Sequence, residues 1–178
     1  MSMGIKYLVD IIAMIAIYMA ILYKKWKNKG RDTLLVNTLM YVYIGLVLSV
    51  TLMTIITSIP FILNHPYEPI NLLPFDDYFN GRGDTVRQIV INIAMMIPFG
   101  FLLPVVKKQN IFTCIIRTLM LSLSIEVFQP LINGFRAADI TDVITNTVGG
   151  IIGYHLYLLF KPIVNVVLQR VKSGSAKA

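Results

Sequence analysis

EVFQPLINGFRAADITDVITN, residues 126–146, carries one glutamate, two aspartates, one arginine, one glutamine and two asparagines. The chain around it is 56% hydrophobic and only 14% charged, where a soluble domain carries about 25% charged residues. Mean hydropathy is +0.71. A sequence this apolar is that of an integral membrane protein, so the polar stretch must be explained in the chemistry of a bilayer.

Apolar runs lie on both sides of it. They cover residues 5–23, 34–63, 88–106, 111–132 and 140–160, each near or above the ~20 residues that cross a hydrocarbon core. The spacing predicts an all-α polytopic bundle of about five transmembrane helices, one membrane domain over residues 1–178. The run 34–63 is long enough to tilt or to project beyond the hydrocarbon, and Pro60 is expected to end or kink it. The first run resembles a signal peptide in hydropathy, but it lacks a small-residue cleavage site and is followed by a basic cluster, so it reads as a retained helix.

Charge orients the bundle. Lys24, Lys25, Lys27, Lys29 and Arg31 follow the first run, Lys107 and Lys108 follow the third, and Lys161, Arg170, Lys172 and Lys177 follow the fifth. The opposite end holds Lys6, Arg82, Arg87 and Arg136, with Glu68, Asp76, Asp77, Asp84, Asp139 and Asp142. By the positive-inside rule the N-terminus is outside and the C-terminus inside. The net charge of +7 is juxtamembrane, which points to anionic membrane lipid as partner and not to nucleic acid.

Smaller features add constraints. Cys114 is the single cysteine and reads as a buried apolar thiol. His65 and His155 lie too far apart to form a catalytic pair, and His155 is expected in an interhelical hydrogen bond. In the loop 64–87, Phe75, Tyr78 and Phe79 beside Asp76 and Asp77 predict a short interfacial helix, with a turn at Asn80-Gly81. Arg82-Gly83-Asp84 reads as a solvated turn, because a tripeptide matches the adhesive motif by chance too easily. Pro98 should kink or thin the helix near Gly100 and keep it inside the bundle, where a neighbour can satisfy the freed carbonyl of Ala94. Gly149 and Gly153 form a small-xxx-small pair that permits close helix approach. Residues 171–178 are expected to be a flexible tail.

The opening stretch is then a helical hairpin facing outward. Glu126, Gln129 and Asn133 are spaced i, i+3, i+7, as are Asp139, Asp142 and Asn146, so each set lies along one helix face. Facing each other, the stripes make one polar site about 10 Å below the hairpin tip, with Arg87 and Asn92 as a third wall. A carboxylate within the membrane costs about 2.5–3.5 kcal/mol on insertion scales, so Glu126 requires pairing, hydration or protonation. Arg136 and Arg87 are the candidate partners. The arrangement admits an interhelical network that only holds the bundle together, or a ligand site for a polar headgroup or cell-wall precursor. It also admits catalysis, with Glu126, Asp139 and Asp142 as acid/base groups or as oxygen ligands for Mg²⁺ or Ca²⁺. Neither a Ser-His-Asp set, nor HExxH, nor a P-loop accompanies them.

At these residues the sequence resembles the VanZ-like family of bacterial membrane proteins. The resemblance runs through NLLPF (71–75), NIAMMIPFGFLLP (92–104), IEVFQ (125–129), R-x-x-D-x-x-D (136–142) and NTVGGIIG (146–153), about residues 70–160. It implies a multi-pass protein of the bacterial cell membrane, in a Gram-positive envelope, that lowers susceptibility to teicoplanin and lipid-bearing glycopeptides. A cell-wall lipid precursor or a lipoglycopeptide is the expected partner. The family pattern falls on Asn92, Glu126, Gln129, Arg136, Asp139, Asp142, Asn146 and Gly149. No reaction comes with it; the alternative is a membrane enzyme acting on a lipid-linked or phosphate-bearing substrate.

Overall fold

The computed structural model describes residues 2–62, 70–132 and 137–173. Five helices there are long and apolar enough to cross a membrane. Helix α1 runs from Met3 to Lys27 with one π-helical turn at Tyr18–Leu22, and α2 covers Arg31–Thr51. A single helical turn, α3, follows at Asp76–Phe79. Then come α4, Thr85–Val106, α5, Ile111–Ile132, and α6, Ile140–Ser173. No strand forms among the described residues, only an isolated parallel bridge between Asn71 and Asp139.

The core is built on α4 and α6, which share the most extensive contact of any pair. Small residues cause it. A Cβ on Gly149 would run into the Ile93 carbonyl, one on Gly153 into the Ile97 carbonyl, and one on Gly100 into the backbone of Gly150. The backbones therefore meet directly, as the Gly149/Gly153 spacing predicts. Helix α4 continues unbroken through Pro98 and Pro104 and touches α2, α5 and α6. Cys114 is fully buried, with its Sγ facing the carbonyls of Gly100 and Gly150. His155 bonds within its own helix, Nδ1 to the Ile151 carbonyl at 2.8 Å, and not to a neighbouring one. Helix α6 carries on past Pro162 to Ser173, so residues 171–173 are helical, and 174–178 lie outside the described residues.

The second apolar run does not behave as expected. Helix α2 stops at Thr51, nine residues before Pro60, and Met53 takes a left-handed backbone at φ 59°. The following amides are caught by Asp10 of α1: Oδ2 accepts the Ile55 N–H at 2.8 Å and Oδ1 the Ile56 N–H at 2.9 Å. A buried carboxylate thus supplies acceptors for amides that have left the helix. Hydropathy gave no warning of this, because residues 52–62 are as apolar as the helix before them.

At the opposite end α1 is fastened to α2 by Tyr18 Oη to Thr38 Oγ1, 2.8 Å, and by the Tyr41 hydroxyl donating to the Met14 carbonyl, 2.9 Å. Otherwise α1 is largely exposed along its length. In the long connection, α3 places Tyr78 and Phe79 outward. Arg82 turns back onto Asp76 and Asp77 at 2.9 and 3.6 Å, which is a solvated turn with its charges paired locally.

Candidate functional site

The N-terminus of α6 explains why acids collect in the opening stretch. Four backbone N–H groups at a helix start lack internal partners, and the helix dipole favours negative charge there. Asp139 is the N-cap: its Oδ1 accepts the Thr141 N–H at 2.7 Å. Its own N–H donates to Glu126 Oε2 at 2.9 Å, across the hairpin. The Ile140 N–H donates to the Asn71 carbonyl at 3.0 Å, and the Asn71 N–H to the Ala138 carbonyl at 2.8 Å. Asn71 Nδ2 also reaches Asp139 Oδ2 at 3.2 Å. The NLLPF segment is therefore stitched onto the start of α6, with Phe75 N–H donating to Thr141 Oγ1 at 2.9 Å.

Below this cap a cavity of ≈ 90 Å³ is lined by Asn92 from α4, Glu126 and Gln129 from α5, and Asp142 and Asn146 from α6, with Thr51 of α2 closing one side. Room for a few waters or one small polar group results. Asn92 Nδ2 donates to Asp142 Oδ1 at 2.7 Å. Gln129 Nε2 donates to the Thr51 carbonyl at 3.3 Å, meeting the early end of α2. Asn146 Nδ2 donates to Ser122 Oγ at 2.9 Å. Glu126, Gln129 and Asn146 are all buried.

The structure thus brings together five of the eight residues read as a site: Asn92, Glu126, Gln129, Asp142 and Asn146. Asp139 adjoins them through Glu126 but spends its oxygens on the α6 cap and on Asn71. Arg87 does not join. It is 74% exposed beside Asp84, 3.8 Å away. The reason is angular: Arg87 and Asn92 are five residues apart, about 140° around a helix of 3.6 residues per turn. Asn133 and Arg136 lie outside the described residues. For Mg²⁺ or Ca²⁺, no group of three or more His, Cys, Asp or Glu side chains is placed to hold an ion among the described residues.

Three participants went unread. Ser122 precedes Glu126 by four residues, so the α5 polar stripe extends one turn further than expected. Asn71 was legible only as part of a motif. Asp10, a lone acid in an apolar run, carried the signal that intramembrane carboxylates always carry.

These features define a five-span helical membrane protein with a small, acceptor-rich polar cavity near one end of its bundle. The VanZ/LLP1 family pattern matches residues 11–161, and the chain belongs to that family. The match begins in α1, well before Asn71, so the first two helices are part of the family pattern. Over 97 residues the chain is 40% identical to Protein VanZ of Enterococcus faecium, an alignment covering 54% of this chain and 56% of that relative. The chain thus spans little more than half the length of the curated relative it matches. No solved structure is a match for it.

Proposed function

We propose that the protein lowers the susceptibility of a Gram-positive cell to teicoplanin and lipoglycopeptide antibiotics by engaging an envelope component at its polar cavity. One observation carries this reading: in an otherwise apolar bundle, three helices converge five polar side chains on one hollow. Carboxylates in membrane helices are costly to keep, and they mark function more often than scaffold. Membership of a family that includes Protein VanZ supports the biology.

The lysine-rich end of the bundle faces the cytoplasm by the positive-inside argument, which turns the cavity toward the cell exterior in a multi-pass protein of the cell membrane. An acyl-bearing glycopeptide places its tail in the outer leaflet and its peptide-binding face in the wall. The cavity end sits where the two meet.

Expression in a sensitive Gram-positive host tests the reading. Tolerance should rise more to teicoplanin than to vancomycin, which lacks the tail. Asp142→Asn keeps an acceptor for the Asn92 amide but removes a charge, and it should lose protection at unchanged protein level. Equal protection against both drugs, or full protection by the variant, would overturn the proposal.

A further inference from the structure

Helices α1 and α2 are joined at their lysine-rich ends and diverge from there. They touch most along Tyr23–Lys27, and further along the Met14 side chain is set against Gly45 as a spacer. A groove of ≈ 410 Å³ results, running from Tyr7 to Tyr18 on α1 and from Thr38 to Ser49 on α2. Three of its hydroxyls are spent within the protein: Thr38 Oγ1 on Tyr18 at 2.8 Å, Tyr41 on the Met14 carbonyl at 2.9 Å and Ser49 on the Gly45 carbonyl at 2.8 Å. What an occupant meets is chiefly apolar surface, with Ile11, Ile15, Val42 and Leu46 on the walls. At 1.5 Å per residue the groove is about 16 Å long, close to half of the ~30 Å hydrocarbon core and so to the depth of one leaflet.

One end of the groove carries an aromatic shelf. The Tyr18 ring lies 6.0 Å from Tyr23, 6.1 Å from Trp26 and 5.8 Å from Tyr41, and Trp26 meets Tyr41 at 6.2 Å. The π-turn at Tyr18–Leu22 arranges this. Its extra residue brings Tyr23 and Trp26 onto the face of Tyr18, where an uninterrupted α-helix would bring Leu22 and Lys25. Lys27 Nζ then stands over the Tyr23 ring, 5.5 Å from its centre. Lys24, Lys25, Lys27, Lys29 and Arg31 are all exposed around the α1–α2 turn, and none of them is ion-paired among the described residues. Tyrosine and tryptophan mark headgroup level in a membrane protein, so the unpaired cations stand where the headgroup of a molecule lying in the groove would be.

We propose that this groove binds one anionic glycerophospholipid, with an acyl chain between α1 and α2 and the phosphate at Lys24 and Lys27 over the aromatic shelf. Charge complementarity selects the occupant. A second copy of the chain, packed here about a two-fold axis along the membrane normal, would bring its own lysine cluster against this one. Juxtamembrane charge attracts anionic lipid to the whole basic end of the bundle; the groove and shelf hold a single molecule at one place. That place is at the other end of α2 from Thr51 and the polar cavity, and the proposal stands apart from the function assigned to the cavity.

Native mass spectrometry of the purified full chain with phosphatidylglycerol and phosphatidylcholine of identical acyl chains tests it. Phosphatidylglycerol should be retained about fivefold better, the factor that one lysine beside an anionic headgroup supplies. Replacing Lys24 and Lys27 together by glutamine should abolish that preference. Replacing Lys107 and Lys108 by glutamine removes the same charge from the loop between α4 and α5 and should leave the preference intact. Leu46→Trp, at a position 60% exposed on the groove wall, should lower retention of both lipids, with folding of every variant verified by size exclusion. Equal retention of the two lipids by the unmodified chain would overturn the inference. So would an equal loss in the two lysine pairs, which would assign the selectivity to diffuse charge, or unchanged retention by Leu46→Trp, which would place the lipid elsewhere.

Discussion

Glu126 and Asp139 meet across the α5–α6 hairpin, the aspartate backbone N–H donating to Glu126 Oε2 at 2.9 Å. The same carboxylate lines the polar cavity. One side chain therefore closes the hairpin and forms the wall of the hollow below it, and a substitution at Glu126 can be chosen to separate the two roles.

Glu126→Gln retains an acceptor for the Asp139 N–H, whereas Glu126→Ala leaves that half-buried donor without its partner, at a cost of about 1 kcal/mol. Thermal unfolding in detergent should show the alanine variant clearly destabilised and the glutamine variant close to the parent. If glutamine also abolishes antibiotic tolerance, the charge itself acts in the cavity. A glutamine variant as unstable as alanine would show that the hairpin needs the carboxylate.

Asp139 caps α6, so Asp139→Ala should cost about 0.5–2 kcal/mol and Asp139→Asn very little. Hydrogen exchange offers a local readout. Protection of the Thr141 amide, bonded to Asp139 Oδ1 at 2.7 Å, should fall in the alanine variant and hold in the asparagine one. Equal exchange in both would remove the cap from the account.

At Gly153 a methyl group has nowhere to go, since the atoms it would meet are backbone: the Ile97 carbonyl and the Phe101 nitrogen. Overpacking of this kind costs about 1–3 kcal/mol. Gly4→Ala is the control, with nothing within 4 Å of the added Cβ. Size-exclusion yield of the two variants should diverge; matching yields would mean that α4 and α6 can move apart freely.

Topology is open to direct chemistry. A cysteine at Gly83 should react with a membrane-impermeant thiol reagent in intact cells, and one at Lys27 should not. Cys114 is buried and contributes little background. Reversed labelling would place the cavity end in the cytoplasm and remove the envelope argument.

Periodicity and composition anticipated the five spans, the close approach of Gly149 and Gly153, and the facing of the Glu126 and Asp142 stripes, because each depends on spacing within a helix. What escaped depended on partners distant in the chain. The end of α2 is marked by no residue of α2. The amides beyond it are held by Asp10, 45 residues upstream of Ile55, inside a run where hydropathy stays uniformly high. Arg87, expected beside Asn92 in the third wall, stands apart because five residues turn it about 140° around the helix, onto the exposed side with Asp84. Asp139 has the local signature of an N-cap, an aspartate just before an apolar helix, and its side chain serves that purpose first.

The bond from Asp10 to Ile55 and Ile56 also bears on how the chain is made. Helix α1 carries a carboxylate whose backbone donors, the Ile55 and Ile56 amides, lie 45 and 46 residues further along the chain. The acid costs about 2.5–3.5 kcal/mol on insertion scales, and the hydropathy of α1, 2.1 over its most apolar window, carries it in nonetheless. Relief arrives only once α2 has been delivered and has turned at Met53. The first two helices are thus coupled in assembly: the carboxylate of α1 gains its backbone donors only when the segment after α2 has been made.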